Sequence, residues 1–154
     1  MSVESVKEYL KQYGLADRVM EFPVSSATVA LAAEALHCEP ALIAKTLSFL
    51  QNGKAVLIVM AGDVRVDNPK YKERFSCKAK MLTPEEAVEL TGHPIGGVCP
   101  FDLPDDVTVY LDESLQRFDV VYPAAGSDSS AVRVTVDELY RASRCAGWVD
   151  VSKE

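Results

Sequence analysis

Apolar residues recur at helical spacing near the start of the chain and predict two helices there. The first helix ends at Gly14, where a left-handed residue is expected, and its apolar positions are Val3, Val6, Leu10 and Tyr13. The second has Ser25 or Ser26 as its N-cap and a narrow stripe of mostly small residues, Val29, Ala32, Ala33 and Leu36. Pro40 can open one further helical turn.

Two capping signatures predict two more helices. Thr83 and Glu86 have the spacing of a capping box, in which each side chain accepts from the backbone N–H of the other. Gly92 would end that helix. Thr135 and Glu138 have the same spacing and indicate the start of a last helix.

The clearest strand signal is a pair of apolar runs joined by a tight turn. Thr46–Leu50 and Ala55–Met60 flank Gln51-Asn52-Gly53, and Asn-Gly is typical of a two-residue hairpin turn. Both runs are almost continuously apolar, so we expect the hairpin at the centre of a sheet. Shorter runs predict further strands at 19–22, 107–111, 118–122 and 131–135.

The mixture of helices and strands follows no regular βαβ alternation. It predicts one α+β domain over residues 1–154, with a mixed, mostly antiparallel, curled and barrel-like sheet flanked by helices. A length of 154 residues agrees with a single hydrophobic core.

Composition and charge narrow the functional classes. No run approaches the roughly 18 apolar residues of a membrane span, and the acidic N-terminal segment does not resemble a signal peptide. We therefore expect a cytoplasmic protein with no membrane partner. The net charge of −7 argues against broad, sequence-independent binding to nucleic acid, and we expect no DNA partner.

Basic residues are nevertheless concentrated between positions 65 and 80. This segment carries a local charge of +4, and the rest of the chain carries −11. Its candidate backbone-binding residues are Lys70, Lys72, Arg74, Lys78 and Lys80. The charge pattern fits contact with a phosphate backbone and fits an ordinary solvated surface equally well.

The sequence contains no known metal or cofactor signature. Its four cysteines form no C-x-x-C pair, and only two histidines are present. Glycine-rich dinucleotide motifs, a P-loop lysine motif and a nucleophile-elbow serine are also missing. We expect neither a metal nor another cofactor.

Lys45 is the first residue that stands out for chemistry. It is the only charged residue between Glu39 and Lys54, at the start of an apolar strand. A buried ammonium loses its hydration, so this side chain either extends to solvent or binds an anion. The pattern leaves both interpretations open.

Two loops are candidates for a ligand pocket. Gly96-Gly97 followed by Pro100 gives a loop whose backbone can approach a ligand, with Ile95, Val98 and Phe101 as apolar lining. The residues 124–130 are small and can wall a pocket or form a flexible connection. Each loop can also be an ordinary turn, although the apolar residues of the first loop weaken that interpretation. A nucleophilic pair of Cys99 and His93 would require the glycine loop to fold back on itself.

These motifs together resemble a known family. Lys45-Thr46-Leu47 after an alanine-rich helix, then Gly96-Gly97-Val98-Cys99-Pro100-Phe101, then Ala125-Gly126, occur in this order and at similar spacing in YbaK-like proteins. These are free-standing relatives of the editing domain inserted in bacterial prolyl-tRNA synthetase. The resemblance covers roughly residues 20–145. The sequence differs from many relatives at Asp102, where they carry glycine, and lacks the Gly-Arg-Arg-Gly run of the cysteine-specific branch.

The resemblance implies a metal-free hydrolase that removes the amino acid from mischarged aminoacyl-tRNA. It implies that Lys45 acts at the tRNA 3′ end and that the terminal adenosine's own hydroxyl helps to position the water. The substrate-binding residues it implies are Thr46, Gly96, Gly97, Val98, Pro100, Gly126 and Ser127.

Three functions remain open on the sequence. The first is trans-editing deacylation, on tRNA for proline among other candidates, with an aminoacyl-tRNA synthetase as a further partner. The second is an inactive RNA- or synthetase-binding module of the same fold. The third is a small-molecule esterase or amidase that uses Cys99.

Overall fold

The computed structural model describes residues 2–94 and 96–154, which form an α+β domain around a curled six-stranded half-barrel. Its helices are α1 (Val3–Leu10), α2 (Val29–Leu36), α3 (Asn68–Phe75), α4 (Pro84–Thr91) and α5 (Val136–Ala142). Its strands are β1 (Val19–Glu21), β2 (Ile43–Gln51), β3 (Lys54–Ala61), β4 (Arg65–Val66), β5 (Thr108–Asp112), β6 (Val120–Pro123), β7 (Ser130–Val132), β8 (Val134–Thr135), β9 (Trp148–Val149) and β10 (Ser152–Lys153). The predicted fold class is confirmed.

The main sheet has the strand order β8-β6-β2-β3-β5-β9. The pairs β2–β3 and β6–β8 are antiparallel, while β2–β6, β3–β5 and β5–β9 are parallel. Two further antiparallel pairs, β1–β7 and β4–β10, lie outside this sheet. A mixed sheet was predicted, but the strands that pair in parallel were not identified, because each parallel pair joins strands that are distant in sequence.

The central hairpin is confirmed and is longer than predicted. Asn52 and Gly53 both have positive φ, 53° and 76°, as a tight turn between β2 and β3 requires. Every residue of β3 from Ala55 to Ala61 is buried. This strand is covered on both faces, which explains its unbroken apolar sequence.

The predicted N-caps of α4 and α5 are confirmed. For α2 the helix is confirmed, but the predicted N-cap residue is wrong. Both capping boxes form, and Gly92 ends α4 in the left-handed conformation. The N-cap of α2 is Thr28, whose side chain accepts from the N–H of Leu31. Ser26 instead contacts the Asp128 carbonyl through both its N–H and its hydroxyl, so this segment is attached to the loop opposite.

The strand predicted at 131–135 is two strands. β7 pairs with β1 and β8 pairs with β6, and the chain changes partner at the exposed Arg133. The apolar pattern continues across this point, so the sequence does not reveal the break. No helix within residues 2–94 or 96–154 is long and apolar enough to cross a bilayer.

The carboxylate of Asp112 joins the end of β5 to the C-terminal segment. It is fully buried, and its Oδ1 accepts from the N–H of Val151 at 2.9 Å. Its Oδ2 accepts from the N–H of Ser114 at 2.9 Å and from the hydroxyl of Ser152 at 2.7 Å. Three donors from two parts of the chain thus converge on one side chain.

We expect Asp112→Asn to lower the free energy of unfolding by about 1–3 kcal/mol. Both carboxylate oxygens accept hydrogen bonds, so the NH₂ group that replaces either of them will face a donor and cannot accept from it. Urea unfolding followed by circular dichroism measures the change. Asp106→Asn, at an exposed position, is the matched control. An Asp112→Asn protein as stable as the parent would show that these bonds contribute little.

Candidate functional site

A cavity of about 270 Å³ lies against β2 and is lined mainly by small and apolar residues. One wall comes from α2 and the segment before it, and another from the chain around β6 and β7. The remaining wall is formed by Met81, Gly96 and Val98. The lining residues are Ser26, Ala27, Thr28, Val29, Ala32, Ile43, Ala44, Lys45, Thr46, Leu47, Ser48, Met81, Gly96, Val98, Tyr122, Ala124, Ser130 and Ala131.

The cavity exists because the outer edge of β2 changes partner along its length. At its start, Ile43 and Ala44 pair with β6. Further along, the N–H of Leu50 donates to the Lys80 carbonyl and the Ser48 carbonyl accepts from Leu82, at 2.8 and 3.1 Å. The stretch of β2 between these two pairings lines the cavity.

Lys45 lies in this stretch with its side chain half-buried. Its Nζ donates to the backbone carbonyl of Val64. Burial lowers the pKa of this ammonium, and the nearby charge of Asp63 opposes that shift. The ammonium is held in place by a neutral carbonyl, so its positive charge is not neutralised by that bond.

Arg117 binds the carboxylate of Asp63, the residue immediately before Val64. Its guanidinium donates to both oxygens of Asp63, at 3.0 and 2.6 Å. Hydrogen bonding to Arg117 lowers the pKa of Asp63. Among the described residues no salt bridge joins Lys45 to an acid.

Thr46 carries a polar atom without a partner in the described part of the chain. Its Oγ1 is buried and makes no hydrogen bond there. An unpaired buried hydroxyl costs about 1–3 kcal/mol, so such an atom at a cavity wall is a candidate contact for a ligand.

The glycine loop meets the cavity through Gly96 and Val98, while Gly97 has a different role. Gly96 has a φ of 88°. A Cβ on Gly97 would lie 2.9 Å from the Cα of Ser127, and the N–H of Gly97 donates to the Pro94 carbonyl. Gly97 therefore allows two loops to pack closely, whereas we had expected it to allow a close approach by substrate.

Gly126 and Ser127 are not among the residues that line this cavity. A Cβ on Gly126, whose φ is 98°, would lie 2.8 Å from Val6 Cγ2, so this glycine permits contact with α1. The N–H of Ser127 donates to Ser130 Oγ at 3.3 Å. Ser130 is buried and lines the cavity, and sequence reasoning did not single it out as a site residue.

Pro100 is separate from this cavity. It lines a smaller one of about 140 Å³ together with Tyr9, Asp102 and Arg144. Phe101, which we expected as pocket lining, is fully buried in the core. Ile95 lies outside the described residues.

Cys99 and His93 do come together, but in the core. Cys99 Sγ lies 3.7 Å from His93 Nε2, and both side chains are fully buried. His93 Nε2 is 2.9 Å from the Phe101 carbonyl, which can only accept, so this nitrogen carries the proton. Burial raises the pKa of the Cys99 thiol to about 12. A protonated thiol away from the cavity is a poor nucleophile, which argues against the cysteine esterase.

Two of the five predicted basic residues contact other parts of the fold, and the other three have exposed side chains. Lys70 donates to Asp150 and to the Ser152 carbonyl, which attaches α3 to the C-terminal segment. Arg74 lies over the rings of Phe75 and Tyr110. The side chains of the other three, Lys72, Lys78 and Lys80, are exposed.

Comparison with known proteins identifies the family. Residues 24–142 match the family described as the aminoacyl-tRNA editing domain. The chain belongs to this family. It is 48% identical to the uncharacterized protein YwhH of Bacillus subtilis (strain 168), over all of this chain and 99% of that protein. It is 30% identical to a proline–tRNA ligase of Solidesulfovibrio magneticus, over 80% of this chain and 21% of that enzyme.

Two solved structures have the same fold as this chain. A protein described as a candidate trans-editing enzyme for prolyl-tRNA synthetase superimposes with a TM-score of 0.88 at 31% identity, over 99% of this chain and 97% of the other. The hypothetical protein APE2540 superimposes with a TM-score of 0.85 at 33% identity, over 97% and 99%. The proline–tRNA ligases are much longer, and this chain spans about a fifth of their length.

The buried His93 predicts a dependence of editing-domain stability on pH. Burial lowers its pKa, so the folded protein keeps the ring neutral where the unfolded chain, with a pKa near 6.5, binds a proton. The free energy of unfolding should therefore fall as the pH drops from 7.5 to 5.5, by up to about 1.4 kcal/mol per pH unit.

Urea titrations at several pH values measure this slope. His93→Gln should flatten it, because the replacement side chain does not titrate. His37→Asn is the matched control, since His37 is exposed at a left-handed position that asparagine accepts. An unchanged slope in His93→Gln would assign the pH dependence to other groups.

Proposed function

We propose that this protein hydrolyses the ester bond of mischarged aminoacyl-tRNA. Water adds to the carbonyl carbon, the bond between that carbon and the ribose oxygen breaks, and the leaving oxygen takes a proton. The products are a free amino acid and uncharged tRNA. Membership of the editing-domain family supports this reaction, as does the description of the structural relative.

One observation carries the proposal: an unneutralised lysine cation is fixed in the wall of a small apolar cavity. An apolar cavity suits an amino-acid side chain, and a cation suits the phosphate or ribose of the tRNA 3′ end. The Val64 carbonyl orients Lys45 without cancelling its charge. The two halves of an aminoacyl-tRNA end thus meet complementary surfaces at one place.

The described cavity residues also fit a reaction without a protein nucleophile. Their side chains offer hydroxyls and one ammonium, and none is a cysteine, histidine or carboxylate. An ester is already activated towards water, and positioning it beside oriented dipoles can supply much of the rate. The neighbouring hydroxyl of the terminal ribose is the natural group to orient the water in this mechanism.

The relatives also suggest the tRNA and the partner. Matches to proline–tRNA ligases favour tRNA for proline as the substrate and a synthetase as an associated protein, in the cytoplasm. A panel of purified aminoacyl-tRNAs, each followed for release of its amino acid, tests the proposal and identifies the acyl group. Tight binding with no release across the panel would instead support the inactive binding module.

Lys45→Ala should lower the deacylation rate by about 100-fold or more, because it removes the cation that meets the tRNA end. Lys45→Arg should restore only part of the rate, since a planar guanidinium does not replace a compact ammonium. Single-turnover deacylation measures both variants, and thermal unfolding should show that both are folded.

Lys54→Ala is the matched control for this series. Lys54 is an exposed lysine at the start of β3, next to the hairpin turn, so its removal should leave the rate unchanged. A folded Lys45→Ala protein with full activity would remove Lys45 from the proposed mechanism.

The exposed lysines next to the cavity predict a salt-dependent contact with the tRNA backbone. Lys80 is adjacent to Met81 in the cavity wall, and Lys78 precedes it. The double variant Lys78→Ala/Lys80→Ala should weaken binding to every tRNA and reduce the slope of log affinity against log salt by about 1–2.

Fluorescence anisotropy at several salt concentrations measures this slope. Lys7→Ala/Lys11→Ala removes the same charge from lysines that are paired with Glu21 and Glu8. We expect its slope to match the parent. Equal slopes in both double variants would make residues 78 and 80 an ordinary solvated surface.

A further inference from the structure

The backbone of β2 directs its polar groups alternately to its two edges. The two-residue turn makes Gln51 and Lys54 a hydrogen-bonded pair, so the N–H and C=O of odd-numbered β2 residues face β3. The even-numbered residues face the outer edge. The bonds from Leu50 to Lys80 and from Leu82 to Ser48 agree with this assignment.

Thr46 is left with an unpaired N–H and C=O at the cavity wall. Ala44, two residues before, is in the ladder with β6, and Ser48, two residues after, accepts from Leu82. No described residue pairs with the outward N–H or C=O of Thr46. The outer ladder of β2 therefore has an opening one residue wide.

We infer that the aminoacyl group of the substrate fills this opening as if it were one residue of an antiparallel strand. Its α-amino group donates to the Thr46 carbonyl, and its ester carbonyl accepts from the Thr46 N–H. This inference rests on the proposed function and concerns how the same cavity recognises its substrate. An aminoacyl ester has one amino group and one carbonyl, which is the complement of one residue's C=O and N–H.

Two features of the cavity support this occupant. No acidic side chain is present among the described lining residues, so an ammonium here binds neutral oxygens, and the Thr46 carbonyl is one of them. The buried Thr46 Oγ1 also lacks a partner, which places a third unpaired polar atom on the same residue.

The same pairing would assist the chemistry. A hydrogen bond from Thr46 N–H to the ester carbonyl strengthens as negative charge develops on that oxygen. The cation of Lys45, on the adjacent residue, then faces the nucleotide side of the ester. Recognition would be independent of the amino-acid side chain, which the small and apolar walls select separately.

The first test compares each acyl group with its des-amino counterpart on the same tRNA, such as alanyl with propionyl. The pair used is the one whose aminoacyl member the panel shows to be hydrolysed fastest. Each catalysed rate is divided by the rate in buffer alone, because the two esters differ in intrinsic reactivity. We expect the enhancement to fall by about 10- to 100-fold for the des-amino ester.

The second test observes the Thr46 amide directly in the ¹⁵N-labelled protein. In the free protein its proton should exchange with solvent much faster than those of Lys45 and Leu47, which face β3. An amide-linked, non-hydrolysable aminoacyl-adenosine should shift the Thr46 signal downfield and slow its exchange, and the des-amino analogue should not.

Each outcome bears on one hypothesis or the other. Equal enhancement of both esters, or a Thr46 amide already protected in the free protein, overturns the pairing and leaves the deacylase function standing. A panel in which no aminoacyl-tRNA is hydrolysed overturns the proposed function and the pairing with it. Selective loss on the des-amino ester, together with the Thr46 shift, supports both.

Discussion

The fold and the cavity both depend on how β2 is paired: it has one partner along one edge and two successive partners along the other. Along one edge it pairs with β3 from Ala44 to Gln51, and this hairpin is the centre of the half-barrel. Along the other edge it pairs with β6 at its start and with the segment 80–82 near its end. Because a curled sheet cannot keep both outer partners close to the middle of β2, a cavity forms where they separate.

The elements that the sequence predicts well are those fixed by nearby residues. The Asn52–Gly53 turn and the capping boxes of α4 and α5 depend on residues within four positions of one another. The parallel pairs and the break at Arg133 depend on partners far along the chain. An apolar pattern shows that a strand is buried without showing which strand lies beside it.

The sequence predicted part of the candidate site, again because some of its residues carry a local signal and others depend on distant partners. Lys45 stands out because a lone charge in an apolar strand needs an explanation, and the structure places it in the wall of the cavity. Gly97 stands out as a glycine, but its neighbour is Ser127, thirty residues away. Ser130 was predicted only as one of the small residues 124–130, because its particular importance comes from the three backbone groups that its hydroxyl contacts, in Ala125 and Ser127.

The charge at the cavity depends on a pair of residues outside it. Asp63 immediately precedes Val64, whose carbonyl holds the Lys45 ammonium, so its carboxylate lies near that cation and opposes the lowering of its pKa by burial. If Asp63 had no other partner, pairing with Lys45 would neutralise the site. Arg117 binds both oxygens of Asp63 instead. The Arg117–Asp63 pair is exposed, so it adds little to the free energy of unfolding. Its consequence is electrostatic: Lys45 keeps a positive charge available for an anionic ligand, and burial in the cavity wall limits the screening of that charge by water.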